Sequence, residues 1–264
     1  MSKVASIESV DEFLDEISRW RGIWGLSSGV CVPSDIRYGV FRGQADCEWS
    51  LRSKVSRIPT GSQTVYDLEW DLFSAWRRRF VGYPSDLVPN SGNGWEMLAS
   101  AQHFGLPTRL LDWTTHPLHA LFFACIGEPR NVAGSVFGFL PSAARIESLD
   151  RANISLNPIA PLLKNDVGRV YLYWPHWSFS KRLKNQMGVF TIQTRVTMEL
   201  PEALEEASPE GVVEIREVRI ASGAKPYIEG TLREHYGIGY EKMFPEPEGL
   251  AKQICREYCP GLVL

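Results

Sequence analysis

Between Ala101 and Cys125 the chain reads A-Q-H-F-G-L-P-T-R-L-L-D-W-T-T-H-P-L-H-A-L-F-F-A-C. Gly105-Leu106-Pro107 ends a helix, Arg109–Asp112 reads as a short strand, and Pro117 occupies a favoured first-turn position of the next helix. This one stretch must pass from helix to strand and back to helix. It also sets His103, His116 and His119, an Arg–Asp pair and the adjacent threonines Thr114 and Thr115 beside long apolar runs. Polar groups placed so close to a core are either used or firmly hydrogen-bonded.

The flanking sequence predicts further elements. Ser9 to Trp20 reads as a helix capped by Ser9, with Asp11 and Glu12 at its positive end and a Phe13, Leu14, Ile17 stripe. A glycine-rich loop from Gly22 to Pro33 leads to a short strand, Tyr38–Phe41, ending at Arg42-Gly43. Thr64–Phe80 is a helix with Leu68, Leu72, Phe73 and Trp76 at helical spacing. Pro84–Gly94 is a polar loop, and Trp95–Phe104 and Pro117–Ile126 are helices. Strands are expected at Gly134–Leu140, Val167–Trp174, Met187–Arg195 and Val213–Ile220. The tail is helical over Gly230–Tyr236 and Pro247–Glu257, with Gly237-Ile238-Gly239 as the turn. No internal repeat and no Pro-, Gly- or Ser-rich linker divides the chain. The expectation is one α+β domain over 1–264, its core spanning about 35–250, with the helix at 9–20 packed on it.

With 264 residues and a net charge of −3, the chain can bury a large core but cannot grip DNA through bulk charge. A local basic patch is open at Arg77-Arg78-Arg79, although such a cluster usually just suits the negative end of a helix. No apolar run spans a bilayer, and the N-terminus carries no apolar signal core. The five cysteines are scattered except for Cys255 and Cys259, and unpaired thiols are the simpler reading. These features lead to the expectation of a cytoplasmic protein with no membrane partner and no metal. No G-x-S-x-G elbow, Walker loop or dinucleotide fingerprint is present.

Several residues admit both a functional and a structural reading. Arg42 offers the guanidinium fork that suits phosphate, with Gly43 allowing a sharp turn or a close ligand, or it forms a salt bridge. Asp112, Thr114 and Thr115 cradle a polar ligand at a strand-to-helix turn, or they cap the helix that begins at Pro117. Arg109 pairs with Asp112 inside the fold. His103 is a general base or a hydrogen-bonded core histidine. Pro117 separates His116 from His119, so their side chains need not converge. Gln186, after Arg182, bonds a base or ribose hydroxyl, or pairs with loop backbone. Trp113 stacks on a ring or fills the core.

F-R-G-Q at 41–44, W-S-L-R-S-K-V-S-R at 49–57, H-F-G-L-P-T-R-L-L-D-W-T-T-H-P-L-H-A-L-F-F-A at 103–124, N-Q-M-G-V-F-T at 185–191 and G-I-G-Y-E-K-M-F-P at 237–245 resemble the bacterial FRG-domain family. More distantly, Val40-Phe41-Arg42-Gly43 resembles the aromatic-Arg-Gly strand of mono-ADP-ribosyltransferases. Leu111–Pro117 leading to Phe123-Ala124 resembles their polar strand and following helix.

That second resemblance implies an ADP-ribosyltransferase-like fold, a split and bent sheet flanked by N-terminal helices. It implies NAD as substrate, with Arg42, His103 and Gln186 as catalytic residues. Arg42, Gly43, Gln44, Arg57, Arg109, Asp112, Trp113, Thr114 and Thr115 would hold the nucleotide. The implied function is ADP-ribose transfer to a protein or nucleic-acid acceptor by a toxin or antiphage defence effector, with an antitoxin or defence-system protein as partner. Where such transferases carry a glutamate, this chain has Asn185-Gln186, and Glu214, Glu217 or Asp112 would supply the charge instead. Alternatives are a non-catalytic nucleotide-binding sensor or interaction module and, more remotely, a nuclease that uses His103 on RNA.

Overall fold

The computed structural model describes residues 4–24, 39–80, 82–83, 93–141, 147–148, 168–175, 180–207 and 214–258. Its strands are β1 (Ala5–Ile7), β2 (Val40–Gln44), β3 (Leu110–Thr114), β4 (Gly134–Phe139), β5 (Glu147–Ser148), β6 (Val170–Tyr173), β7 (Gly188–Gln193) and β8 (Arg216–Ile220). The helices are α1 (Val10–Ile23), α2 (Val65–Phe80), α3 (Gly94–His103), α4 (Pro117–Cys125), α5 (Lys181–Asn185), α6 (Leu200–Ala207), α7 (Lys225–Tyr236), α8 (Tyr240–Met243) and α9 (Pro247–Tyr258).

The strands form one sheet in the order β1-β8-β4-β2-β3-β7-β6-β5, a mixed α+β architecture. Its neighbours are antiparallel except at the two edges, where β1 runs parallel to β8 and β5 to β6. Pairing is continuous from β8 through β4 to β2 and from β3 through β7 to β6. Between β2 and β3 it shrinks to one register pair, Phe41 with Thr114. The sheet is joined there by little more than a hinge.

Alternating side chains sort the core by face. On one face, Val40, Leu111, Trp113, Phe139, Leu172 and Val189 form a layer under α6 that runs across the junction. On the other face the core is divided. Phe41, Val136, Val218 and Ile220 pack under α1, α4 and α7, whereas Leu110, Tyr171, Phe190 and Ile192 pack under α2 and α3. A sheet divided on one face only leaves a gap above the β2/β3 junction.

Most expected elements stand, with shifted ends. Ser9 caps α1 as foreseen, its hydroxyl accepting from the Glu12 amide, and Val10 and Trp20 join the buried stripe. Gly237 ends α7 in the left-handed conformation that glycine adopts without penalty. The strand expected to stop at Phe41 instead runs through Gln44. Gly43 is therefore no turn. A Cβ there would sit 1.9 Å from the Ala120 carbonyl oxygen and 2.7 Å from the Ala124 nitrogen, so the glycine lets α4 lie directly on β2. The edge strands β1 and β5 and the short helices α5, α6 and α8 went unread in the sequence. Most of the expected loops at 22–33 and 84–94 lies outside the described residues.

Candidate functional site

The gap above the junction is a cavity of about 270 Å³. Phe41, Arg42 and Gly43 of β2 and Asp112, Trp113 and Thr114 of β3 form its floor. Ala99, Gln102 and His103 of α3 and Arg182, Leu183 and Gln186 around α5 form its walls, closed by Lys54, Phe123 and Phe190.

Arg42 spans the junction. Its Nη1 donates to the Asp112 carbonyl at 2.8 Å and lies 3.7 Å from the Asp112 carboxylate, while its Nε is buried with no hydrogen-bond partner among the described residues. Burial lowers the pKa of this guanidinium, opposed by Asp112 and assisted by the Arg57 charge. The Asp112 side chain also accepts from the Gln102 amide at 2.8 Å, and Gln102 in turn accepts from the Thr108 hydroxyl. Asp112 is the single carboxylate among the lining residues described.

His103 ends α3, with Nδ1 3.5 Å from the Ser180 hydroxyl and Nε2 3.9 Å from Glu246. Burial and the Arg182 charge hold its pKa below the usual histidine value, against the pull of Glu246. The ring is thus neutral at pH 7 and able to accept a proton. Gln186 follows α5, and its side-chain amide donates to the Met243 carbonyl at 2.8 Å. The Gln186 carbonyl receives the Thr114 hydroxyl at 2.7 Å and faces His119 Nδ1 at 3.3 Å. Met187, with φ 50°, turns the chain from α5 into β7.

Of the residues singled out in the sequence, Arg42, Gly43, His103, Asp112, Trp113, Thr114 and Gln186 share this cavity. The others do not line it. Arg109 is 1% exposed and pairs with Glu69 rather than Asp112, its Nε donating to both carboxylate oxygens at 2.9 and 2.8 Å. Arg57 donates to the Ser50 and Arg52 carbonyls and fastens their loop. Gln44 is buried farther along β2, and Thr115 gives its amide to the Met187 carbonyl. Thr114 does not cap α4: the N-cap is His116, whose amide Thr114 accepts. His116 and His119 do converge, their rings stacked at 4.3 Å. Trp113 is a core residue, donating to the Thr191 hydroxyl and meeting Phe139 edge-on. Glu217 is held by Ser135 and Arg219, and Glu214 by Arg216, so neither lends its charge to the cavity.

Gln102, Lys54 and Phe190 were not anticipated, and no local pattern marks them. Glu69 was legible in principle. It falls on the Val65–Phe73 stripe of α2, where a buried carboxylate demands a buried cation.

Residues 37–132 match the FRG-domain family model. The matched segment is less than half of the chain and runs from the start of β2 past α4. It contains Arg42, Lys54, Gln102, His103 and Asp112, but not Arg182 or Gln186. Comparison with curated proteins and with solved structures gave no match. Among the described residues, no group of three or more His, Cys, Asp or Glu side chains could hold a metal, and no helix is long and apolar enough to cross a membrane. Among the described residues Cys47, Cys125 and Cys255 form no disulfide, and Cys31 and Cys259 lie outside them.

Proposed function

We propose that the cavity is a nucleotide site that takes NAD as substrate and transfers its ADP-ribose to an acceptor. The observation that carries this reading is Arg42. One nitrogen is pinned to the Asp112 carbonyl, and the side chain, 20% exposed, presents the rest of its guanidinium at the cavity floor. A charge-assisted hydrogen bond from a guanidinium to an anion is roughly twice as strong as a neutral one, so an anionic ligand is favoured there. A diphosphate oxygen suits the fork, and the Phe41, Phe123 and Phe190 walls suit flat rings. In the reaction the bond between ribose and nicotinamide breaks and its electron pair leaves with nicotinamide. Asp112 faces the cationic character that grows at the anomeric carbon, as a carboxylate does in glycoside cleavage. The acceptor attacks that carbon and gives its proton to neutral His103.

One observation favours a second reading, a nucleotide-binding module without turnover. Gln186 replaces the glutamate of the transferases it resembles and is bonded to Met243, while Asp112 is already engaged by Gln102 and Arg42. The test is incubation with NAD labelled in its adenylate half and a lysate containing protein, RNA and DNA, beside Arg42→Ala. Label transferred by the wild type and lost in the variant supports transfer. A rise in melting temperature with NAD, without transfer or nicotinamide release, leaves the binding module. No thermal response to NAD overturns both, and RNA breakdown that needs His103 would then support the nuclease.

A further inference from the structure

Behind His103 lies a second cavity that shares His103 and Arg182 with the first and reaches Phe104 and Phe244. His103 thus stands between two spaces. An aromatic series leads outward from it. The His103 and Phe104 rings meet edge-on at 4.9 Å, and Phe104 lies 5.9 Å from Trp76 and 5.7 Å from Phe80. Phe80 continues to Tyr83 at 5.5 Å. Phe80 is core, 3% exposed, but the two rings it supports are open to solvent, Phe104 at 46% and Tyr83 at 60%.

The charges beside this series are placed asymmetrically. Trp76 and Phe80 share one face of α2, and helical geometry puts Arg77 and Arg79 about 80° to either side of it and Arg78 opposite. All three arginines are exposed, and none forms an ion pair among the described residues. At the inner end Arg182 lies over the Phe244 ring at 4.6 Å. Two carboxylates oppose these cations. Glu248 is bound by Lys252 at 2.8 Å, and Glu246 faces His103.

Exposed rings flanked by unpaired arginines are what a single strand of nucleic acid needs, bases on the rings and phosphates on the cations. We propose that the acceptor is a single-stranded nucleic acid that stacks on the exposed rings of Tyr83 and Phe104, both seated on buried Phe80, with its phosphates on Arg77 and Arg79, and brings one nucleotide to His103. A net charge of −3 means that binding must come from this surface and not from bulk attraction. The transfer step rests on the NAD reading above: the bond to nicotinamide breaks, a bond forms from the ribose carbon to a base nitrogen or sugar hydroxyl, and the displaced proton goes to His103. Strand binding itself does not depend on NAD.

The test is fluorescence anisotropy with labelled mixed-sequence single-stranded RNA and DNA of about 16 nucleotides, the upper site size of one binding module. The wild type is expected to bind at least one of them, more weakly as salt rises. R77E/R79E is expected to lose about tenfold or more in affinity, and Phe104→Ala at least about fivefold, the lower end of what one stacked base contributes. R78E, the same charge change on the opposite face, is expected to bind like the wild type. No binding at low salt, or equal loss in R78E, overturns the proposal, as does label from NAD ending in protein after nuclease digestion. The thermal shift with NAD, measured on the same variants, is expected to be unchanged. Its absence in every protein refutes the NAD reading while the anisotropy still decides the surface.

Discussion

Arg42 and Asp112, 70 residues apart, are joined by a 2.8 Å hydrogen bond from a guanidinium to a main-chain carbonyl, where the sheet has one pair of matched residues. The side chain supplies what the β2–β3 ladder lacks. Arg42→Ala is expected to lose about 1–3 kcal/mol of stability, the cost of leaving a carbonyl and its surroundings unsatisfied. Arg42→Lys keeps the charge but not the fork. It is expected to fold yet show no thermal response to NAD. Urea unfolding and melting with and without NAD check both.

The carboxylate of Asp112 is a separate matter from its carbonyl. Asp112→Asn keeps the main-chain contact and an acceptor for Gln102. Under the transferase reading it is expected to lower nicotinamide release by ~10²–10³ while the thermal shift with NAD persists. An unchanged rate would remove Asp112 from the chemistry.

Glu69 and Arg109 are each 1% exposed and have each other as partners. Breaking a buried pair strands the remaining charge. Glu69→Ala is expected to cost about 3–5 kcal/mol, whereas E69L/R109M, which removes both charges, is expected to cost less. Denaturant midpoints of the two variants decide this.

Gly43→Ala places a methyl group against main-chain atoms of α4 that cannot rotate away. The expected loss is at least about 3 kcal/mol, the upper end of ordinary overpacking. Soluble yield and thermal unfolding read it directly, and a wild-type melting temperature would contradict the close helix-on-strand contact.

His119 sets a pH dependence. Burial, helped by His116 and opposed by the Gln186 carbonyl, pushes its pKa down to about 4 from 6.5. On acidification the unfolded chain takes up a proton near pH 6.5, and the folded chain does not until about pH 4. The stabilisation from the neutral ring is therefore complete above the upper value and lost as pH falls through this window, on the order of 3 kcal/mol in all. His116 and His103 are shifted in the same direction. Stability measured from pH 7.5 downward is expected to fall, less steeply in His119→Asn.

Much of the local structure was legible in the sequence because capping and periodicity act within a few residues. Ser9, Pro117 and Gly237 mark helix ends, apolar runs mark β4 and β6, and alternation marks β7. The same stretch that constrains the fold, Ala101–Cys125, contributes the end of α3, β3 and α4, and with them part of the wall and of the floor of the cavity. What local pattern could not reveal was which partners meet. Arg109 reaches back 40 residues to Glu69 rather than three forward to Asp112. Arg109 lies just before β3, where it meets Glu69 of α2 in the core, whereas Asp112 lies within β3 and opens onto the cavity. Gly43 read as a turn because its constraint lies in α4, not in its neighbours. The sequence by itself determined the longer elements, the caps at Ser9 and Gly237 and the chemical groups available. The tertiary structure decided that β2 and β3 share a single pair, that the core divides on one face only, and that Arg42, Asp112, His103 and Gln186 surround the resulting gap. Those outcomes depend on strand order and register, which arise from long-range packing of both faces at once.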